Sequence, residues 1–161
     1  MALTMRLTKL VLVFTAVALA NSQSALAGHD EDGFAFSNRT IEGTWGFSAS
    51  GTILPPAFTD PTPAVAVGIF EFDGAGLCVI SDTINIGGMS SSRTSDTCEY
   101  AVNSDGSGTL QAQFPAVPGP VPLSFVLVND ANSFLLVRTD LGVASGVAER
   151  QFGRQQNEDD D

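Results

Sequence analysis

The chain has 161 residues and a formal net charge of −11, with 18 acidic side chains against seven basic ones. All 18 acids but only five of the bases follow Ala27, a balance that repels nucleic acid and anionic lipid. The single lysine, Lys9, and the single histidine, His29, both stand near the N-terminus. Beyond residue 29 this excludes a Schiff base, a Ser-His-Asp triad and a His-ligated metal, so no metal or cofactor is expected.

The first segment reads as a leader. Arg6 and Lys9 precede the apolar run from Leu10 to Ala20. That run is shorter than the ~20 residues of a spanning helix, and no other segment reaches that length, so no membrane span is expected. Ala25-Leu26-Ala27 is a small-x-small cleavage signal. The chain therefore divides into a signal peptide over 1–27, cleaved near Ala27, an acidic arm over 28–40, a β domain over 41–153 and an acidic tail over 154–161. The expected compartment is periplasmic or secreted.

After the leader, short alternating runs of Val, Ile, Phe and Thr are punctuated by Gly, Asn, Asp and Ser, the pattern of a sandwich or barrel. Eight strands are predicted: A over Ile41 to Gly51, B over Val65 to Asp73, C over Leu77 to Ile86, D over Arg93 to Val102, E over Thr109 to Phe114, F over Val121 to Val128, G over Ser133 to Thr139 and H over Val143 to Phe152. Short polar turns join B-C, C-D, D-E, F-G and G-H and imply antiparallel neighbours. The expected fold is all-β, a single eight-stranded antiparallel up-and-down barrel. Its connections alternate between the two ends. The A-B and E-F links, rich in proline (Pro55, Pro56, Pro61, Pro63; Pro115, Pro118, Pro120), therefore share one roomy, apolar mouth. The tight turns at Asp73–Gly76, Asn103–Ser107 and Asn129–Asn132 share a pinched end.

The C-D hairpin, with its turn centred near Gly88, sets Cys78 opposite Cys98, so a disulfide is expected. The same register sets Asp82 opposite Thr94 and Asp96 opposite Ile80. It makes the two aspartates diagonal neighbours on the face that carries Tyr100. Two carboxylates in an apolar interior would split in pKa, which suits acid–base work, and Tyr100 would donate a hydrogen bond. Arg138, on the face of Phe134 and Leu136, is a candidate to hold an acidic group. Phe70 and Phe72 are candidate ligand contacts. Asn103 to Gly108 fits a hairpin turn rather than a calcium loop, since the distant Glu of such loops is missing. Strand F and the run Phe134 to Val137 are apolar on both faces, which points to a covering element or to a partner subunit in a homo-oligomer.

Gly43-Thr44-Trp45 opens the first strand and resembles the Gly-x-Trp of the calycin group, the lipocalins and avidins. The resemblance implies that Trp45 closes the barrel bottom against a basic residue of the last strand, here Arg150. Gly68 to Gly76 and Tyr100 to Thr109 are similar, in strand-turn punctuation, to small exported bacterial barrels and to allene oxide cyclase-like barrels. Three functions follow as expectations. The first is an exported barrel that binds a small apolar or amphipathic molecule. The second is a cofactor-free cyclase or isomerase that uses Asp82 or Asp96 as acid–base group and Tyr100 as donor. The third is a structural protein whose interior is filled.

Overall fold

A computed structural model describes residues 35–115 and 117–152. The leader, most of the acidic arm and the acidic tail lie outside the described residues. Nine strands follow a short 3-10 turn, Asn38–Ile41. They are β1 (Gly43–Ile53), β2 (Thr62–Phe72), β3 (Cys78–Ile86), β4 (Met89–Thr94), β5 (Thr97–Val102), β6 (Ser107–Gln113), β7 (Val121–Val128), β8 (Ser133–Arg138) and β9 (Gly142–Arg150). They form one antiparallel sheet in the order β4-β3-β2-β1-β9-β8-β7-β6-β5. Chain neighbours pair in a meander, and β9 returns to pair with β1.

Two expectations need correction. The sheet has nine strands instead of eight, and its hydrogen-bonded ladder does not close into a barrel. Both differences have one cause, a break at Ser95–Asp96 in what the sequence presents as strand D. The residues before the break pair with β3 and those after it pair with β6. At the break Ser95 donates its backbone N–H to Ile80 O (2.9 Å) and accepts the Ile80 N–H on Oγ (3.0 Å). Asp96 donates its N–H to Gln113 O instead (2.8 Å). The curled sheet's edges meet through the isolated bridge Leu77↔Glu99, the bond from Tyr100 N–H to Gly76 O and the Cys78–Cys98 disulfide.

The register of the hairpin also differs. Its turn is the dipeptide Gly87-Gly88, with φ of +57° and +95°, conformations that glycine adopts without strain and that a two-residue hairpin demands. Every β4 partner is therefore one residue earlier than expected, and Asp82 faces Arg93 instead of Thr94. The extra residue at Ser95–Asp96 then restores the original count. Leu77 faces Glu99, and Cys78 lies 4.9 Å (Cα–Cα) from Cys98, disulfide-bonded.

The disulfide crosses the seam where the ladder is thinnest and closes a loop of sequence separation 20. Loops of this size give about 3 kcal/mol of stabilisation. Urea melts of Cys78→Ala/Cys98→Ala should show a loss of that order. An unchanged midpoint would show that the seam holds without the bridge.

Aromatic side chains fill one end of the sheet. Trp45, Phe70, Phe72, Phe125, Phe134 and Tyr100 are buried, and Phe134 lies 5.1 Å from Trp45 and 5.2 Å from Phe125. The 3-10 turn lies over this end. Ile41 is fully buried and its carbonyl accepts the Trp45 indole N–H at 2.8 Å. The Asn38 side chain accepts the N–H of Val102 at 2.8 Å. In the nearby turn, Asp73 accepts the N–H groups of Ala75, Gly76 and Leu77 (2.8–2.9 Å). These bonds, that of Ala75 foremost, hold its carboxyl below the ordinary range. On the outer face, Val126, Leu135 and Val137 are exposed.

Candidate functional site

Along β2, and along β1 as far as Gly51, inward side chains shrink from the closed end to the open one, while Ile53 and Ile84 remain large near the mouth. Along β2 the inward positions run Phe72, Phe70, Gly68, Ala66, Ala64, and along β1 they run Trp45, Phe47, Ala49. On β9 the inward positions beyond Arg150, which pairs with Trp45, are all small: Ala148, Gly146, Ala144, Gly142. Strands keep their spacing, so small side chains on facing strands leave space that aromatic ones would fill. The result is a recess of about 100 Å³, open to solvent at the mouth. Ala49, Ala64, Ala66, Ala112 and Ala144 form a collar that Ile53 and Ile84 share, and Phe47, Phe70, Ile80 and Leu136 its floor. Phe114, Val121 and Leu123 line the side of the proline-rich β6–β7 link. The two proline-rich links do lie at this end, as strand parity predicts.

Three charged side chains reach the recess: Asp82, Arg93 and Arg138. Asp82 is the one buried charged residue among those described. A Cβ at Gly68, its partner on β2, would fall 2.3 Å from Ser81 O and 2.7 Å from the Asp82 Cα. Only glycine permits that approach. Arg93 reaches across the hairpin and grips Asp82 with two bonds, Nε to Oδ1 at 2.8 Å and Nη2 to Oδ2 at 2.9 Å. Its guanidinium lies 4.1 Å from the centre of the Phe114 ring, on the far side of the open seam. Arg93 thus ties β3, β4 and the end of β6 together with one charge-assisted fork and one cation–π contact.

Arg138 is held at the rim. Its Nη2 donates to Asp140 Oδ2 at 2.7 Å and its Nε donates to Asp140 Oδ1. The Arg138 hydrogen bond in turn holds the Asp140 carboxyl below the ordinary range.

The predicted catalytic residues do not come together. Asp82 lines the recess, but Asp96 is exposed at the break and faces no second carboxylate. The one-residue change of register and the break at Ser95 are the reasons. Tyr100 is buried at the closed end, where its ring packs 4.8 Å from that of Phe72 and its hydroxyl donates to Asn38 O at 3.3 Å. Burial raises the Tyr100 phenol above its ordinary pKa. Phe70 lines the recess, whereas Phe72 belongs to the closed end. Trp45 and Arg150 are partners on β1 and β9, with the guanidinium carbon 4.5 Å from the indole ring. Burial lowers the Arg150 pKa, and Nη1 donates to Glu42 O at 2.7 Å.

Arg93 is the charged residue of the recess that sequence reasoning missed. The signal was present in Gly87-Gly88, because a two-residue turn sets Arg93 opposite Asp82. No family model, curated protein or solved structure matches this chain, so its likeness to calycin-like or allene oxide cyclase-like barrels rests on the sequence pattern alone.

Proposed function

We propose that this protein is an exported binding module of calycin-like design that holds a small apolar or amphipathic molecule at the open end of its sheet. The observation that carries the reading is the collar of alanines around an apolar recess open to water. A β domain that needed only stability would gain by filling this space, since each unfilled methyl-sized gap forgoes about 1 kcal/mol. The filled-interior alternative suits the closed end, where six aromatic rings meet, but not the mouth. The cyclase alternative has less support, since Asp82 lines the recess without Asp96 or Tyr100. Export follows from the leader over residues 1–27, and the disulfide suits an oxidising compartment.

Native mass spectrometry of the protein secreted by its own host should show a retained non-covalent adduct. Ala66→Phe projects a ring into the recess from β2 and should abolish the adduct while far-UV circular dichroism stays that of the wild type. Its overpacking costs about 1–3 kcal/mol. An adduct that survives Ala66→Phe would place the ligand elsewhere, and a wild-type protein that carries none would count against the reading.

A further inference from the structure

We infer that the recess takes an uncharged, apolar end group no larger than about one aromatic ring, and that any charged part of the ligand stays outside in water. This rests on the binding reading above and sharpens it to a ligand class.

The charge argument comes first. Both arginines that reach the recess already carry a carboxylate partner. Asp82 occupies the fork of Arg93 with two bonds, and Asp140 occupies that of Arg138. Each fork leaves only Nη1 of its guanidinium without a hydrogen bond, and the charge of each arginine is already balanced by its own carboxylate. An acid placed beside Arg93 or Arg138 would also meet Asp82 or Asp140 at close range, and it would lose its water in the process. Burying an ionised carboxylate without a new partner is strongly unfavourable. Arg138, a candidate on sequence grounds to hold an acidic group, already holds Asp140 of its own chain.

Size is the second constraint. A volume of about 100 Å³ is below the roughly 300 Å³ at which sites for drug-sized molecules begin. It is comparable to the ~150 Å³ apolar cavity that suffices for benzene in another protein. The opening at the mouth allows the remainder of a longer molecule to lie between the proline-rich links. Insertion is therefore tip-first, with selectivity set by the width of the alanine collar and by the exclusion of charge.

The test uses the full exported chain with its disulfide intact and its alanine methyls labelled with carbon-13. Toluene and benzoate share one ring and differ in the group that replaces a hydrogen, so the pair isolates charge. 1,3,5-Triisopropylbenzene tests width. Toluene should shift the Ala66 and Ala112 methyl resonances saturably. Benzoate should bind at least about tenfold more weakly at the same methyls, as expected for a carboxylate that must give up water beside ion pairs whose charge is already balanced. Triisopropylbenzene should leave both methyls unmoved. Benzoate binding as tightly as toluene, or triisopropylbenzene shifting the same methyls, would overturn the inference and leave the binding reading intact. If no probe moved these methyls, the recess would not be a site, and the binding reading would fall with the inference.

Discussion

Arg93→Met should be the most damaging single charge removal in the described part of the chain. It leaves the Asp82 carboxylate, whose side chain is 3% exposed, with no cation beside it. Breaking a buried pair from one side costs about 3–5 kcal/mol, because the remaining charge keeps its full desolvation penalty. It also removes the guanidinium from the Phe114 ring, the side-chain contact that spans the seam above the disulfide. Asp82→Val should cost less. The Arg93 side chain is 20% exposed, so its charge can turn toward water and its stem can stay on Phe114. The double variant Asp82→Val/Arg93→Met should recover most of the loss, since replacing both charges by apolar groups of similar bulk is often near neutral. Urea melts of the four proteins form a double-mutant cycle, and a coupling energy of more than about 2 kcal/mol is expected from residues in such contact. An Arg93→Met midpoint equal to that of the wild type would show that the pair carries no structural weight.

The same pair shows what was legible in the sequence. Period-two alternation marks β1, β2 and β3 nearly to their ends, an apolar run between turn residues marks β7, and the alternation of connections places both proline-rich links at one mouth. The gradient from Phe72 and Phe70 to Ala66 and Ala64 along β2 is also plain in the sequence, and with it the location of the recess. The register of the β3–β4 hairpin was readable but easily displaced. Centring the turn on Gly88 instead of between Gly87 and Gly88 moves every partner by one, and a shift of one residue exchanges the faces of a strand. The break at Ser95–Asp96 was not legible. It depends on β6 competing with β3 for the same stretch of chain, a long-range choice that no local pattern announces. Its effects are large: Asp96 turns to solvent, one strand becomes two, and the cysteines still meet. Tyr100 illustrates a different error. It shares the inward face with Arg93 but lies seven residues further along the chain, roughly 20 Å at the usual rise per residue. Sharing a face does not mean sharing a depth.

Trp45→Ala should cost about 3–5 kcal/mol, the range for emptying a buried aromatic site, and should do so without altering the recess. Trp45 is fully buried, and its ring meets Phe134 at 5.1 Å, Phe72 at 6.5 Å and the Arg150 guanidinium at 4.5 Å. Its indole N–H satisfies the carbonyl of Ile41 at 2.8 Å, and so fixes the 3-10 turn across the closed end. Truncation leaves a cavity, an orphaned carbonyl and a guanidinium with no ring beneath it. Trp45→Phe separates these effects. It retains an aromatic face for Arg150 and gives up the hydrogen bond to Ile41, at a cost of about 1–3 kcal/mol for the unsatisfied group. The expected order of melting temperatures is wild type, then Trp45→Phe, then Trp45→Ala. Toluene affinity should be unchanged in any variant that remains folded, because Trp45 does not line the recess. A Trp45→Phe protein that lost toluene binding in proportion to its stability would show that the closed end and the mouth form a single cooperative unit. Binding that persists while stability falls would assign the aromatic end to holding the sheet together and the alanine end to the ligand.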